Sequence, residues 1–270
     1  MQTATILDDI VASRADRVRE AKSRVPLEAL ARAAEARSDF RSFRDALSLD
    51  SPHAARVIAE MKKASPSAGL LRSDYAPPAL ARDYEASGAV ALSVLTEEDY
   101  FQGSLDHLRE ARRAARLPVL RKDFIIDPYQ VYESAASGAD ALLLIVAALS
   151  SESLRDLIDL CRRLKVAALV EVHNEDELSR ALDAGVEIVG VNNRDLKTLE
   201  VKLGTSFKLR EKIPSRCLAV AESGIKTGAD LKRLVEAGFH AALIGERLMR
   251  SNDPGGALGE LLAGARGRQE

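Results

Sequence analysis

Val57-Ile58-Ala59-Glu60-Met61-Lys62 is a short apolar run that ends in charge, and the chain returns to that design along most of its length. Leu117-Pro118-Val119-Leu120 leads to Lys122, Ala167-Ala168-Leu169-Val170 to Glu171, Ile188-Val189-Gly190-Val191 to Asn192, and Cys217-Leu218-Ala219-Val220-Ala221 to Glu222. In a strand, residues two apart share a face. Ile58, Glu60 and Lys62 therefore point one way, as do Leu120 and Lys122, Leu169 and Glu171, and Val220 and Glu222. The charges extend the apolar face instead of alternating with it. Burying them is costly unless they are paired or needed for chemistry. A parallel β/α barrel collects its active site at the C-terminal ends of its strands, so the pattern reads as a catalytic mouth.

A weak repeat supports that fold. Ala86-Ser87-Gly88, Ala136-Ser137-Gly138, Asp183-Ala184-Gly185 and Glu236-Ala237-Gly238 each close a helical stretch before an apolar run, with Gly suited to the left-handed helix C-cap. Their spacing, roughly fifty residues, holds two βα units, so four copies make eight. Odd strands are expected near 57–61, 118–122, 166–171 and 217–222, and even strands near 89–95, 140–146, 186–192 and 241–245. Helical segments such as Ser153 to Leu164 and Glu175 to Ala184 alternate with them, which calls for parallel strands joined by crossover helices. The predicted fold class is α/β, a (β/α)8 TIM barrel occupying residues 1–270 as one domain. Residues 1–50 form an N-terminal helical extension, in which Ile6, Ile10, Val11 and Val18 mark one amphipathic helix and Leu27 and Leu30 a shorter one after Pro26. That extension either caps the barrel or helps to close the substrate site. Gly255 to Gly264 reads as the last outer helix, the Pro254-Gly255-Gly256 segment as a turn, and Gly267 to Glu270 as a frayed end.

Composition narrows the function. A net charge of -2 and a pI near 6.2 leave no basic footprint for nucleic acid. No apolar run is long enough to span a bilayer, and Met1 to Glu20 lacks the basic start and apolar core of a signal peptide. Cys161 and Cys217 form no CxxC pair and read as core thiols in a reducing cytoplasm. The histidines His53, His107, His173 and His240 have no metal-ligand spacing, and no GxGxxG opens a nucleotide site. His173, just past Glu171, reads as an outward or loop residue.

The strand ends suggest chemistry. Ser223-Gly224 after strand seven and Gly245-Glu246 after strand eight stand where barrels often hold phosphate on backbone N–H groups. The Glu246 carboxylate would repel phosphate unless it turns away and only its N–H donates. Lys62 and Lys122 face one cavity, where two ammonium groups should lower each other's pKa and favour general-acid work. Glu60, Glu171 and Glu222 can pair with those lysines or move protons. Asn192 supplies an amide, and Arg194 a fork suited to carboxylate or phosphate, unless it pairs with Asp195 or another acid. Phe101 and Phe124, in the loops after strands two and three, could wall an aromatic pocket.

These motifs resemble the indole-3-glycerol phosphate synthase family. The likeness rests on Glu60-Met61-Lys62-Lys63-Ala64-Ser65-Pro66-Ser67, Ser93-Val94-Leu95-Thr96-Glu97 with Tyr100-Phe101-Gln102-Gly103, and Leu120-Arg121-Lys122-Asp123-Phe124. It continues through Leu143-Leu144-Ile145, Leu169-Val170-Glu171-Val172, Gly190-Val191-Asn192-Asn193-Arg194-Asp195-Leu196, Ala221-Glu222-Ser223-Gly224-Ile225 and Leu243-Ile244-Gly245, nearly the whole chain in order. The resemblance implies ring closure of 1-(2-carboxyphenylamino)-1-deoxyribulose 5-phosphate with loss of CO₂ and water, without metal or organic cofactor. It implies Lys122 as general acid at the substrate C2 carbonyl, Glu171 as acid/base in the dehydration, and Lys62 facing the anionic groups. Glu60, Asn192 and Glu222 would orient hydroxyls and lysines, and Arg194 would hold the anionic substrate. Ser223, Gly224 and Gly245 would bind phosphate, while Ser65, Phe101, Phe124, Leu143, Leu243 and Glu246 complete the expected substrate contacts. Glu246 departs from the small polar residue common at its position. The expected partner is a small phosphorylated substrate, with no nucleic acid or membrane, and the chain is expected to act as a monomer with at most weak self-association. A phosphoribosylanthranilate isomerase-like barrel would share the phosphate end, but the lysine pair argues against it. A silent barrel used for interaction would not need so many charged strand ends.

Overall fold

Eight parallel strands close on themselves in the computed structural model, which describes residues 5–48, 55–195 and 198–266. They are β1 Val57–Met61, β2 Ala91–Leu95, β3 Val119–Lys122, β4 Ala141–Ile145, β5 Ala167–Val172, β6 Ile188–Asn192, β7 Leu218–Glu222 and β8 Ala241–Ile244. Each pairs with its neighbours in sequence, and β8 returns to β1. Every residue of β1, β2, β4, β6 and β8 is buried, as expected when one face fills the barrel and the other lies under helices. Ile58, Leu120, Leu169, Ile188, Val220 and Leu243 share the interior cluster, so the parity read from the sequence holds.

Parallel register lines up the polar ends. Leu95 stands beside Lys122, Ile145 beside Glu171, and Asn192 beside Glu222. The strand bounds agree with the sequence reading to within two residues. A small antiparallel hairpin, Ala64–Ser65 with Gly69–Leu70, was not anticipated; it follows β1 directly and carries no periodic signal.

The described residues of the N-terminal extension form three helices instead of two: α1 Ile6–Arg24, α2 Leu27–Glu35 and α3 Phe43–Ala46. A capping box between Thr5 and Asp8 starts α1. Phe43 and Leu47, at α3 and its C-cap, are fully buried in the interior cluster and plug the end where the strands begin. The opposite end of the extension reaches the C-terminal ends of the strands. Arg14, on α1, meets Glu98 at 2.9 Å and Asp123, next to Lys122, at 3.0 Å. The extension thus spans the barrel from its plugged end to its open one.

Pro254–Arg266 is one helix, so Gly255 and Gly256 lie in its first turn and not in a separate turn; Pro254 at the start supplies the preset helical φ. Leu196, His53 and the expected frayed end 267–270 lie outside the described residues. Cys161 and Cys217 are buried free thiols, and burial pushes both thiol pKa values up, that of Cys161 to about 12. No described helix is long and apolar enough to cross a membrane.

Candidate active site

The strand ends open into a cavity of about 570 Å³ lined by Glu60, Lys62, Lys122, Glu171, Asn192 and Glu222. Lys122, from β3, donates to Glu171 on β5 at 2.8 Å and to Glu222 on β7 at 2.6 Å. Lys62 donates to Glu60 at 2.6 Å, two residues back on the same face. Asn192 donates its amide to the other oxygen of Glu171 at 3.1 Å, and its carbonyl accepts the backbone N–H of Arg194. Each of these side chains is the inward residue at the end of a different strand or of β1, so closure of the barrel alone brings them together.

Electrostatics sorts them into roles. Burial disfavours a charged Lys122, but Glu171, Glu222 and Glu60 outweigh it and hold the ammonium above the ordinary lysine range. The mutual lowering of two facing lysines expected from sequence is therefore wrong for Lys122: two carboxylates touch its ammonium directly, and Lys62 is occupied by Glu60. Burial also works against an ionised Glu171, yet Lys122 and His173 hold it well below the usual carboxylate range. Glu222 goes the other way. Burial and the neighbouring Glu171 charge outweigh Lys122 and raise it to about 7. Two carboxylates on one ammonium cannot share it equally, and their pKa values are pushed apart.

Two glycines make room for this arrangement. A Cβ at Gly190 would overlap the Glu222 carboxylate, and a Cβ at Gly245 would overlap that of Glu60. Gly190 was not singled out in the sequence, because its reason is a neighbour across the sheet.

At the rim, Ser223, Gly224, Gly245 and Glu246 lie together as the sequence reading requires. Ser223 and Gly224 both have positive φ, 65° and 79°, a strained turn for a serine. Asn193 holds it by donating to the carbonyls of Glu222 and Ser223 at 2.9 and 3.0 Å. Arg194 lines the cavity and meets Glu246 at 3.4 Å; Glu246 also accepts from Arg250 at 3.1 Å. The Glu246 side chain is thus neutralised by two guanidinium groups. Lys226, Arg247 and Arg250 add positive charge around the same turns and were missed; their polar runs lie just beyond the strand ends and look like ordinary helix surface.

Leu143 and Leu243 form the apolar floor, and Phe101 and Phe124 stand side by side with ring centroids 6.1 Å apart. Ser65 does not join them. Its hydroxyl instead accepts the backbone N–H of Ala68 in the hairpin turn, while Ser67 and Ala68 reach the cavity. His173, read from the sequence as an outward or loop residue, lies 3.3 Å from Glu171. Among the described residues no group of three His, Cys, Asp or Glu could hold a metal ion.

The sequence profile of indole-3-glycerol phosphate synthase matches residues 7–261. The Polaromonas naphthalenivorans protein named indole-3-glycerol phosphate synthase is 48% identical over 257 residues, covering 95% of this chain and 98% of its own. Its Chromobacterium violaceum namesake is 49% identical over 259 residues, covering 95% and 97%. Among solved structures, 3-hexulose-6-phosphate synthase from Salmonella typhimurium superposes with a TM-score of 0.63 at 11% identity, covering 78% of this chain and 98% of that one. KGPDC from Streptococcus mutans does so at 0.61 and 13%, covering 78% and 97%. These two likenesses speak to the barrel fold alone.

Proposed function

The chain belongs to the indole-3-glycerol phosphate synthase family, and from that membership we propose how its own residues divide the work. The reaction is a carboxy-lyase step of tryptophan biosynthesis. It closes the ring of 1-(2-carboxyphenylamino)-1-deoxyribulose 5-phosphate, releases CO₂ and then water, and leaves indole-3-glycerol phosphate.

The observation that carries the assignment of roles is the Lys122 ammonium, held between Glu171 and Glu222 in the cavity. Ring closure turns the C2 carbonyl into an alkoxide as the aromatic carbon bearing the carboxylate attacks it. Lys122 is built to meet that charge. Its ammonium persists at neutral pH and donates its proton as the oxygen becomes basic. Loss of CO₂ then restores the aromatic ring. In the dehydration the C2 hydroxyl leaves with a proton while the adjacent carbon gives one up. Glu171, kept ionised, is the base suited to accept it. Glu222, near 7, can hold a spare proton and return one to Lys122.

Glu60 aims Lys62 at the substrate's anionic groups, and Asn192 holds Glu171 in place. The Phe101–Phe124 pair suits the carboxyphenyl ring. The turns at Ser223–Gly224 and Gly245–Glu246, ringed by Arg194, Lys226, Arg247 and Arg250, suit the phosphate. These groups come from one chain, so we read a monomer as sufficient for activity. Two buried thiols suit the cytoplasm. The test is to add the carboxyphenylamino substrate to purified protein and follow indole-3-glycerol phosphate fluorescence. A steady rise in emission, slowed about 10²-fold or more in Lys122→Met, is expected; a wild-type rate in that variant would take Lys122 out of the chemistry.

A further inference from the structure

Beside the Glu171 oxygen that Lys122 does not touch lies a second pair of ionisable groups. His173 follows β5, and Glu177 stands in the first turn of the helix Glu175–Asp183. The two are joined at both backbone and side chain. Glu177 Oε2 accepts the His173 backbone N–H at 2.8 Å and lies 2.9 Å from its Nδ1. The other ring nitrogen, Nε2, is 3.3 Å from Glu171 Oε1, and the imidazole is largely buried, its side chain 10% exposed. Asn192 reaches the same Glu171 oxygen from β6, and Lys122 holds the other from β3.

We propose that His173 is a positioning residue for the reaction: anchored by Glu177, it places an imidazolium charge 3.3 Å from Glu171 and holds that carboxylate ionised and in place at the cavity. The inference rests on Glu171 being the acid/base. The groups facing His173 are both anionic, Glu171 from the strand and Glu177 from the helix, with the Lys122 ammonium beyond Glu171. Burial alone would discharge the ring, but its two carboxylate contacts more than offset that and raise it to about 10. A neutral ring could donate from only one nitrogen; with Nδ1–H on Glu177 it would turn a lone pair toward Glu171 and repel it. The charged form attracts both neighbours, Glu177 through the Nδ1 contact at 2.9 Å and Glu171 as an ion pair at 3.3 Å, in which Nε2 makes no aligned hydrogen bond. A buried carboxylate with donors on both oxygens also loses the freedom to rotate away from the substrate, which is what orientation contributes to rate.

The test compares His173→Leu, His173→Gln, Glu177→Gln and Glu171→Gln, each checked for folding by circular dichroism. His173→Leu is expected to lower kcat about tenfold or more, on the scale of one hydrogen bond to a charged group, with KM little changed. His173→Gln keeps an N–H near the Nε2 position and should recover part of that loss. NMR titration, with the His173 signal identified by its absence in His173→Gln, should show an imidazolium through neutral pH. In Glu177→Gln its midpoint should fall and kcat should drop. Should His173→Leu fail to fold, Glu177→Gln carries the same comparison. Wild-type kcat in the His173 and Glu177 variants, with Glu171→Gln inactive, would overturn the proposal while leaving Glu171 its role. A His173 ring that is neutral at pH 7 would also overturn it. Near-wild-type turnover in Glu171→Gln would remove the acid/base reading itself, and the positioning role with it.

Discussion

Gly190 on β6 lies beneath the carboxylate of Glu222 on β7, and a methyl group at residue 190 would occupy the space of Glu222 Oε1. That oxygen is buried and has no hydrogen-bond partner, whereas Oε2 accepts from Lys122. The position of the Lys122 ammonium therefore depends on a missing side chain one strand away. Gly190→Ala should fold, since the added methyl meets only the movable end of the Glu222 side chain at close range, but should displace Glu222 and lower kcat by about 10²-fold, the cost of a misplacement near 1 Å. Steady-state kinetics with an unchanged melting curve would bear this out; normal kcat would mean that Glu222 can move freely.

Lys122→Met should cost about 10²-fold or more in kcat, the usual scale for a lost general acid. Methionine replaces most of the buried stem without charge, although it leaves Glu171 and Glu222 facing each other, so some loss of stability at high pH is expected. Lys63 is the control. It does not line the cavity, and Lys63→Met should be mild. Equal losses in the two variants would defeat the assignment.

Glu171→Gln should keep substrate affinity and slow turnover, because the amide preserves shape and loses the proton transfer. Single-turnover experiments should show the slowing after decarboxylation, with CO₂ release less affected than indole formation. Equal slowing of both would move Glu171 to the ring-closing step.

The raised Glu222 carboxyl predicts a pH effect. Its folded-state pKa is about 7, so it is protonated below that pH and ionised above. As pH falls through 7, Lys122 loses one of its two anionic anchors, and kcat/KM should fall. Glu222→Gln should be slower at every pH but lack that limb. Persistence of the limb in the variant would assign it to another group, such as the substrate phosphate.

The phosphate end makes a structural prediction. A crystal grown with substrate or inorganic phosphate should show the anion between the turns at Ser223–Gly224 and Gly245–Glu246, with Glu246 remaining turned toward Arg250. Phosphate at the opposite, plugged end near Phe43 would refute it.

Period and position determined much of this protein at the level of the chain. Alternation along each short apolar run set which residues enter the barrel, and a charge continuing the inward face marked Glu60, Lys62, Lys122, Glu171 and Glu222 as candidates, all of which line one cavity. Those features are local: parity is a property of one strand, and β1 to β8 fall within two residues of their expected bounds.

Only the tertiary structure decided what those groups do to one another. Lys122 touches carboxylates 49 and 100 residues away, so its pKa rises where sequence reasoning expected it to fall. Gly190 matters through a neighbour on another strand, and Ser65 turns into a hairpin that has no periodic signal. His173 stands just past the end of β5, and only the folded chain shows its ring 3.3 Å from Glu171. Periodicity reports the direction of a side chain. Charge state, room and partnership depend on distances across the closed barrel, which no stretch of sequence contains.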